Sequence, residues 1–225
     1  MAPDDKEEGT WLLKVIEKVA ISPEDAKAIA RQYRQQSESK YPQEDDAQRQ
    51  KRVADKIIGR YAKLAALSGG ATALTGVIPG MGSAVAVLGG GAADTAACMK
   101  LQVDMCCCLA EAFGYDINHQ DARHLVFLIA AGGALEKAGT GVGVNIASKA
   151  GVRLLRQHLK GAALQAVKEL FKRLGIIFTR KALERALPFG IGVAIGGSAN
   201  YALTRYVGAQ ARDWFVIDQE LPKND

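Results

Sequence analysis

The uncharged segment of residues 64–93 limits what this chain can fold into more than any other feature. It holds 30 consecutive residues without a charge, and about 20 apolar residues are enough for one helix to cross a bilayer. Pro79 and Gly80 lie near its middle and Gly82 follows, which argues against one straight helix because both residue types favour a turn. The segment therefore predicts a hairpin with arms 64–78 and 81–93. Each arm would be about 20 Å long, shorter than a hydrocarbon core of about 30 Å.

A second uncharged run, residues 186–204, resembles a weaker copy of the first, with its turn at Pro188 and Gly190. The chain has 24 glycines and is 48% hydrophobic but only 6% aromatic, and small side chains let helices approach closely. Few segments show the alternation of strands. The sequence predicts an all-α fold, a multi-helix bundle with two glycine-rich hydrophobic hairpin segments.

Composition and helix signals divide the chain into three parts. We predict a polar helical region over residues 1–60, a helical domain over 61–217 and a flexible tail over 218–225. Ser22 followed by Pro23 is typical of a helix start. Gly114 is expected to end a helix that begins near Asp94, and Asn118 to cap the next one.

Basic residues are concentrated in residues 136–185, which hold 11 basic and three acidic side chains, whereas the whole chain has a net charge of +5. Apolar residues at three- and four-residue spacing make this block a long basic amphipathic stretch. Such a block next to apolar hairpins favours contact with anionic lipid headgroups, although an ordinary solvated helix face would give the same pattern. The residues predicted to contact headgroups are Arg153, Lys160, Lys168 and Lys172.

Two polar residues stand out next to the first uncharged segment. Asp94 is interpreted either as an anchor or pH-dependent insertion switch, because carboxylates are costly at bilayer depth, or as an aspartate stabilised by a helix N-terminus. The second interpretation is favoured because residues 89–91 are all glycine. Gln102 is expected to form a structural polar bridge between helices rather than to act in catalysis.

The cysteines and histidines do not predict a metal site. Three of the four cysteines, Cys106, Cys107 and Cys108, are adjacent, and their side chains point in three directions on a helix, unlike zinc ligands. Burial as small hydrophobic residues is favoured over acylation, and adjacent cysteines favour a reducing compartment. The acidic residues 1–8 do not resemble a secretory leader. His119 and His124 are five residues apart, a poor spacing for one helical face.

Common catalytic and nucleotide-binding patterns are missing from the sequence. The glycines 139, 141 and 143 lack the spacing of a dinucleotide-binding loop, and no phosphate-binding P-loop motif occurs. No nucleophile elbow or zinc-protease motif is present. The basic block has almost no interleaved aromatic residues, which disfavours nucleic-acid binding. The sequence thus predicts neither a cofactor nor a reaction.

Several motifs in order resemble the EcsC protein family. The run YAKLAALSGGAT from Tyr61 resembles the family's opening, and Asp94 lies eight residues before Gln102. Gly114-Tyr115-Asp116 begins twelve residues beyond that glutamine. The run NYALTR from Asn200, followed by Val207-Gly208 and Ala211, is similar to the closing helix. The similarity covers roughly residues 50–215, most of the chain.

The resemblance implies a helical protein from a mostly bacterial family without an agreed catalytic activity. It also implies a link to membranes, because the namesake lies beside an ABC transporter operon connected with protein secretion. A related helical domain is attached to some membrane-associated bacterial GTPases. The chain departs from the family pattern at the turn around Pro79 and at the cysteine triplet.

These observations favour a non-enzymatic, membrane-associated helical protein at the cytoplasmic face of the cell membrane, linked to transport, secretion or the cell envelope. Anionic lipid headgroups and a membrane protein are the expected partners, and nucleic acid is not. One alternative is a pore-forming or membrane-disrupting toxin. Another is a soluble helical enzyme or ligand-binding bundle with Asp94, Gln102, Tyr115 and Asp116 around a pocket.

Overall fold

The computed structural model describes residues 10–67, 90–139, 145–159, 163–185 and 192–222. Side chains are described within these ranges except at residues 10–11, 90–95, 158, 178–185 and 192–198. Over the described backbone the chain forms helices and no strand, which confirms the all-α prediction. The helices are α1 (Thr10–Val19), α2 (Pro23–Lys40), α3 (Asp46–Leu67), α4 (Gly90–Ala112), α5 (Gln120–Lys137), α6 (Lys149–Leu159), α7 (Ala163–Arg185) and α8 (Gly192–Glu220).

Helix α4 is the centre of the bundle. It packs against α1, α2, α3, α5, α7 and α8, and every side chain of residues 96–110 is buried. A helix surrounded in this way cannot have a polar face, which is why its sequence lacks amphipathic periodicity. One hydrophobic core extends from Leu12 of α1 to Phe215 of α8. The predicted N-terminal helical region thus shares the core of the rest of the chain.

The outer helices pack around α4 with close approaches at small residues. Helix α8 lies against α3, α4, α5 and α6, while α7 lies against α1 and α5. At Gly208 of α8, an added Cβ would lie 2.8 Å from Ile58 Cγ1 and 2.9 Å from Met105 Sδ. Glycine is therefore required there, because no side chain fits between α8, α3 and α4.

Two of the predicted helix boundaries are confirmed. Ser22 Oγ accepts a hydrogen bond of 3.1 Å from the Asp25 amide, and Pro23 occupies the first turn of α2. Gly114 adopts a φ of 82° just after α4, a conformation that glycine tolerates best.

The predicted cap at Asn118 is wrong. Helix α5 begins at Gln120, and the cap residue, His119, makes no side-chain capping bond. The Asn118 side-chain Nδ2 instead donates to Asp116 Oδ1 over 2.8 Å. The Asn118 side chain thus stabilises the turn before α5 instead of capping that helix.

The amphipathic stretch predicted in the basic block contains helices α6 and α7, with residues 160–162 outside the described ranges. Its apolar stripe is confirmed at Val152, Leu155 and Leu174, all buried. The predicted tail begins too early, because α8 continues to Glu220 and Leu221 is 9% exposed. Packing of Trp214 and Phe215 in the core extends this helix beyond residue 217.

The turn residues of both predicted hairpins, Pro79, Gly80, Gly82, Pro188 and Gly190, lie outside the described residues. The first segment contributes the end of α3 and the start of α4 to the described structure. The second run contributes residues 192–204, which form one continuous arm at the beginning of α8.

Candidate functional site

A buried ion pair in the middle of α4 is the most unusual polar feature of the described bundle. Lys100 and Asp104 lie one turn apart, with side chains only 2% and 3% exposed, and the lysine Nζ donates a hydrogen bond to Asp104 Oδ2. Fully buried lysine is rare because removing its charge from water costs several kcal/mol, on the order of the attraction it gains. The Lys100–Asp104 pair therefore occupies core positions at which hydrophobic residues would ordinarily be expected.

The second carboxylate oxygen of Asp104 holds the connection between α1 and α2. Asp104 Oδ1 accepts a hydrogen bond of 2.8 Å from the Ile21 amide, 83 residues away in sequence. Burial raises the pKa of Asp104, while Lys100 and the Ile21 amide oppose that increase. The carboxylate thus anchors the N-terminal helices to the central helix.

Gln102 lies on the same helix but has a different role from the predicted bridge. Its side chain is buried, and its amide donates to Cys98 Sγ over 3.4 Å, one turn earlier in α4. Its Oε1 atom has no hydrogen-bond partner within the described part of the chain. The prediction that Gln102 bridges two helices is therefore wrong, because the hydrogen bond that the structure shows lies within α4.

The cysteines are buried and unpaired as disulfides, as the sequence predicts. Cys108 Sγ lies 3.4 Å from Tyr61 Oη of α3. Burial raises the pKa of Cys108 to about 12 and raises those of Cys106 and Cys107 as well. Such thiols are protonated at neutral pH and are therefore poor nucleophiles and poor metal ligands. The described residues contain no group of three side chains suited to a metal ion.

A second polar cluster joins α6, the end of α8 and the loop after α4. Tyr115 Oη donates to Asp218 Oδ2, and Arg156 Nε donates to Asp218 Oδ1 over 2.7 Å. Arg156 also donates to the carbonyls of Asp218 and Pro222, over 2.9 and 2.6 Å. The arginine thus satisfies carbonyls at the C-terminal end of α8, where a positive charge is favoured.

Aromatic packing holds this C-terminal junction together. The Tyr115 ring lies 5.0 Å from that of Phe215, which also stacks on Phe113 at 5.4 Å. Burial and the hydrogen bond to Asp218 raise the pKa of Tyr115. Its hydroxyl is therefore a neutral donor, as a structural bond requires, rather than a ready source of tyrosinate.

The remaining predicted polar site residues, Asp94, Asp116 and Asn200, lie at other positions in α4, the loop after it and α8. Asp116 is exposed and accepts bonds from the Asn118 amide and side chain, which lower its pKa. Asp94 is the fifth residue of α4, and its stabilisation by the N-terminus of that helix stays a prediction. Asn200 lies partly buried in α8.

The pocket proposed for Asp94, Gln102, Tyr115 and Asp116 is not assembled in the described part of the structure. Gln102 precedes the end of α4 by ten residues, about 15 Å along the axis, and Tyr115 and Asp116 lie beyond that end. The described grooves beside α2 and beside α5 have none of these four in their walls. Gln102 is therefore separated from Tyr115 and Asp116 in the described part of the structure.

The basic side chains predicted to contact lipid are displayed on the outer helices. Arg153 of α6 and Lys168 of α7 are exposed, and Lys172 is partly exposed. Lys160 lies outside the described residues. Both helices direct apolar residues into the bundle, including Val152 and Phe171, so the charged residues face outwards. We call Arg153, Lys168 and Lys172 the basic face.

Comparison with known families gives a clear assignment. The model of the EcsC protein family matches residues 47–216. The chain belongs to the EcsC protein family, as the motifs had indicated. No curated protein and no solved structure matches the chain. Within the described ranges, none of the helices combines the length and the apolar character needed to pass through a membrane.

Sequence reasoning missed two ion pairs, the buried Lys100–Asp104 pair and the partly buried Arg156–Asp218 pair. Lys100 and Asp104 gave a signal, since opposite charges four residues apart on a helix can pair, but their burial depends on neighbouring helices. Arg156 and Asp218 are 62 residues apart, and nothing in the sequence links them.

Proposed function

We propose that this protein is a non-enzymatic, membrane-associated helical protein that binds anionic lipid through its basic face. The observation that supports the proposal most strongly is the division of α6 and α7 into two sides. Their apolar residues are used by the bundle core, while Arg153, Lys168 and Lys172 point away from it. Basic side chains near an anionic surface contribute about 1 kcal/mol each.

The position of this face in the chain adds to the argument. Helix α7 is followed directly by the uncharged run of residues 186–204, and Arg180, Lys181 and Arg185 precede that run. Electrostatic attraction would bring the protein to the surface, and uncharged segments would then add apolar contact with the interface. Linkage to transport, secretion or the cell envelope, through a membrane-protein partner at the cytoplasmic face, belongs to the same proposal.

Vesicle co-sedimentation tests the proposal. We expect binding to vesicles that contain phosphatidylglycerol, weak binding to pure phosphatidylcholine, and release as salt increases. The variant Arg153→Glu/Lys168→Glu/Lys172→Glu should lose at least about tenfold in affinity, because three charges of about 1 kcal/mol each are reversed. Recovery of the unmodified protein in the supernatant with anionic vesicles at low salt would contradict the proposal.

A matched control separates a specific face from net charge alone. Lys18→Glu/Lys51→Glu/Lys56→Glu changes the net charge by the same amount on α1 and α3, and none of these lysines has an ion pair among the described residues. We expect its vesicle binding to remain within about twofold of the unmodified protein. Equal losses in the two variants would show that the basic face is not the contact surface.

The toxin alternative is tested with the same vesicles. A pore-forming protein should release an entrapped dye, and more so at acidic pH if carboxylate protonation assists insertion. A peripheral protein should bind without release at pH 5 and pH 7. The enzyme alternative has the least support, because Gln102 lies about 15 Å before the end of α4 while Tyr115 and Asp116 lie beyond that end.

A further inference from the structure

A groove between α2, α3 and the end of α4 gathers basic side chains from separate parts of the chain. Lys27, Arg31 and Arg34 extend from α2, and Arg49 extends from α3. The groove encloses about 190 Å³, and its floor includes the apolar side chain of Val53. Four cations therefore surround a small, partly apolar depression.

Two of these cations form no close ion pair, although Lys27 lies near enough to Asp116 to help lower the pKa of that carboxyl. Lys27 and Arg31 are exposed, and neither forms an ion pair with another described residue, whereas Arg34 pairs with Glu38 and Asp46 at 3.3 Å. Like charges around one depression repel each other unless an anion lies between them. The groove therefore has a positive surplus that a ligand could balance.

Arg49 is held in place through its two terminal nitrogens, while its Nε donor is unused. Its Nη1 atom lies 3.1 Å from Asp46 Oδ1, and its Nη2 atom donates to the Glu44 carbonyl over 2.8 Å. Its Nε atom is buried and has no hydrogen-bond partner among the described residues. A buried charged donor without a partner is costly, and a fixed guanidinium is suited to planar or tetrahedral oxyanions.

The acidic side chain in the wall, Glu111, offsets one of the four positive charges of the lining and leaves the rest. Glu111 Oε1 accepts a hydrogen bond of 3.2 Å from the Ile117 amide, so part of its carboxylate is used by the loop after α4. The nearby Gln50 side chain donates to the Ala112 carbonyl over 3.4 Å and covers the end of that helix. These acceptors are thus occupied, while Lys27 and Arg31 remain available to a ligand.

We propose that this groove binds a small anion that carries a phosphate group and a short apolar part. Lys27, Arg31 and Arg49 would contact the phosphate, and the apolar part would lie over Val53. The ligand could be a free phosphate monoester or the headgroup of a phospholipid, since both present the same chemistry. Helix α2 packs on α3 and α4, whereas α7 of the basic face packs on α1 and α5, so the proposal does not depend on membrane binding by that face.

Calorimetric titration of the full chain with glycerol 3-phosphate tests the proposal, with titration of glycerol at the same ionic strength as the reference. We expect saturable binding of glycerol 3-phosphate alone. The variant Lys27→Gln/Arg31→Gln should bind at least about tenfold more weakly, since two charge-assisted contacts are lost. The control Lys18→Gln/Lys51→Gln removes the same charge elsewhere and should stay within about twofold.

Vesicles containing phosphatidic acid distinguish the two sources of the phosphate. Saturable binding of glycerol 3-phosphate identifies a soluble ligand, and loss of phosphatidic-acid binding in Lys27→Gln/Arg31→Gln alone identifies a headgroup; either result supports the site. Absence of binding to both probes, or equal weakening in variant and control, would overturn it. Circular dichroism of both variants confirms that the helical fold is kept, because all four substituted side chains are exposed.

Discussion

The centre of α4 and the C-terminal junction each contain an ion pair, but the two pairs differ in what surrounds them. Lys100 and Asp104 lie within one helix with side chains 2% and 3% exposed. Arg156 and Asp218 join two helices with side chains 14% and 13% exposed. The first pair is enclosed by core residues, while the second also satisfies carbonyls at a helix end.

This difference shows that the contribution of an ion pair to stability depends on how deeply the pair is buried. In the interior, desolvation offsets most of the attraction between the two charges, so the pair adds little net stability. Removing one partner is nevertheless strongly destabilising, because it leaves a buried charge unpaired. At the helix end, the arginine satisfies carbonyls that would otherwise lack partners, and water reaches part of the side chain. The central pair should therefore be replaceable as a unit, whereas the peripheral arginine should not.

The largest expected effect is from breaking the central pair. Lys100→Met or Asp104→Leu alone should lower the free energy of unfolding by about 3–5 kcal/mol, because each leaves a buried charge without its partner. The double variant should recover to within about 1–2 kcal/mol of the unmodified protein, the remainder being the unpaired Ile21 amide. Urea unfolding followed by circular dichroism measures these values. Single variants that cost less than about 1 kcal/mol would show that the pair is not truly buried.

The next effect is at the C-terminal junction. Arg156→Ala should cost about 1.5–3 kcal/mol, because charge-assisted bonds to Asp218 and to the end of α8 are lost together. Arg156→Lys should not restore this, since an ammonium cannot reproduce the several directed donors of the guanidinium. Arg173→Ala, which removes an exposed pair with Glu169, is the control, expected below about 0.5 kcal/mol. Equal costs for Arg156→Ala and Arg173→Ala would contradict the assigned role.

A third test concerns the close approach between α8 and the central helix. Gly208→Ala should destabilise the protein by about 1–3 kcal/mol, because its Cβ would lie under 3.0 Å from Ile58 and Met105. Gly59→Ala is the matched control, since an added Cβ there has nothing within 4 Å. That change should be neutral or stabilise by up to about 1 kcal/mol, as glycine is unfavourable within a helix. Thermal unfolding of the two variants in parallel measures the difference. Equal stability of Gly208→Ala and Gly59→Ala would contradict the close approach of α8 to α3 and α4.

The smallest expected effect is on thiol chemistry in the centre of α4. Native protein at pH 8 should not react with iodoacetamide at any of its four cysteines, because they are buried and the pKa of Cys108 is raised to about 12. The same reagent in urea should label all four. Mass spectrometry counts the labels. Rapid labelling of the native protein would mean that the centre of α4 opens readily to solvent.

Local signals in the sequence predicted a large part of this fold. The helix start at Ser22, the helix end at Gly114 and the burial of the cysteine triplet all follow from local chemistry or from apolar character. The cap at Asn118 failed because Asp116 competes for the same side chain. The bridge by Gln102 failed because its side-chain amide donates to Cys98, one turn earlier in the same helix.

The sequence by itself determined the all-α class, the membership in the EcsC family and the position of the basic block. These depend on residue type and spacing along one chain, which local hydrogen bonding and side-chain periodicity translate directly into helices. Only the tertiary structure decided that α4 is central, that Lys100 and Asp104 are enclosed, and that Arg156 meets Asp218. These contacts depend on which helices surround which, and burial of charge follows from that packing rather than from the residues themselves.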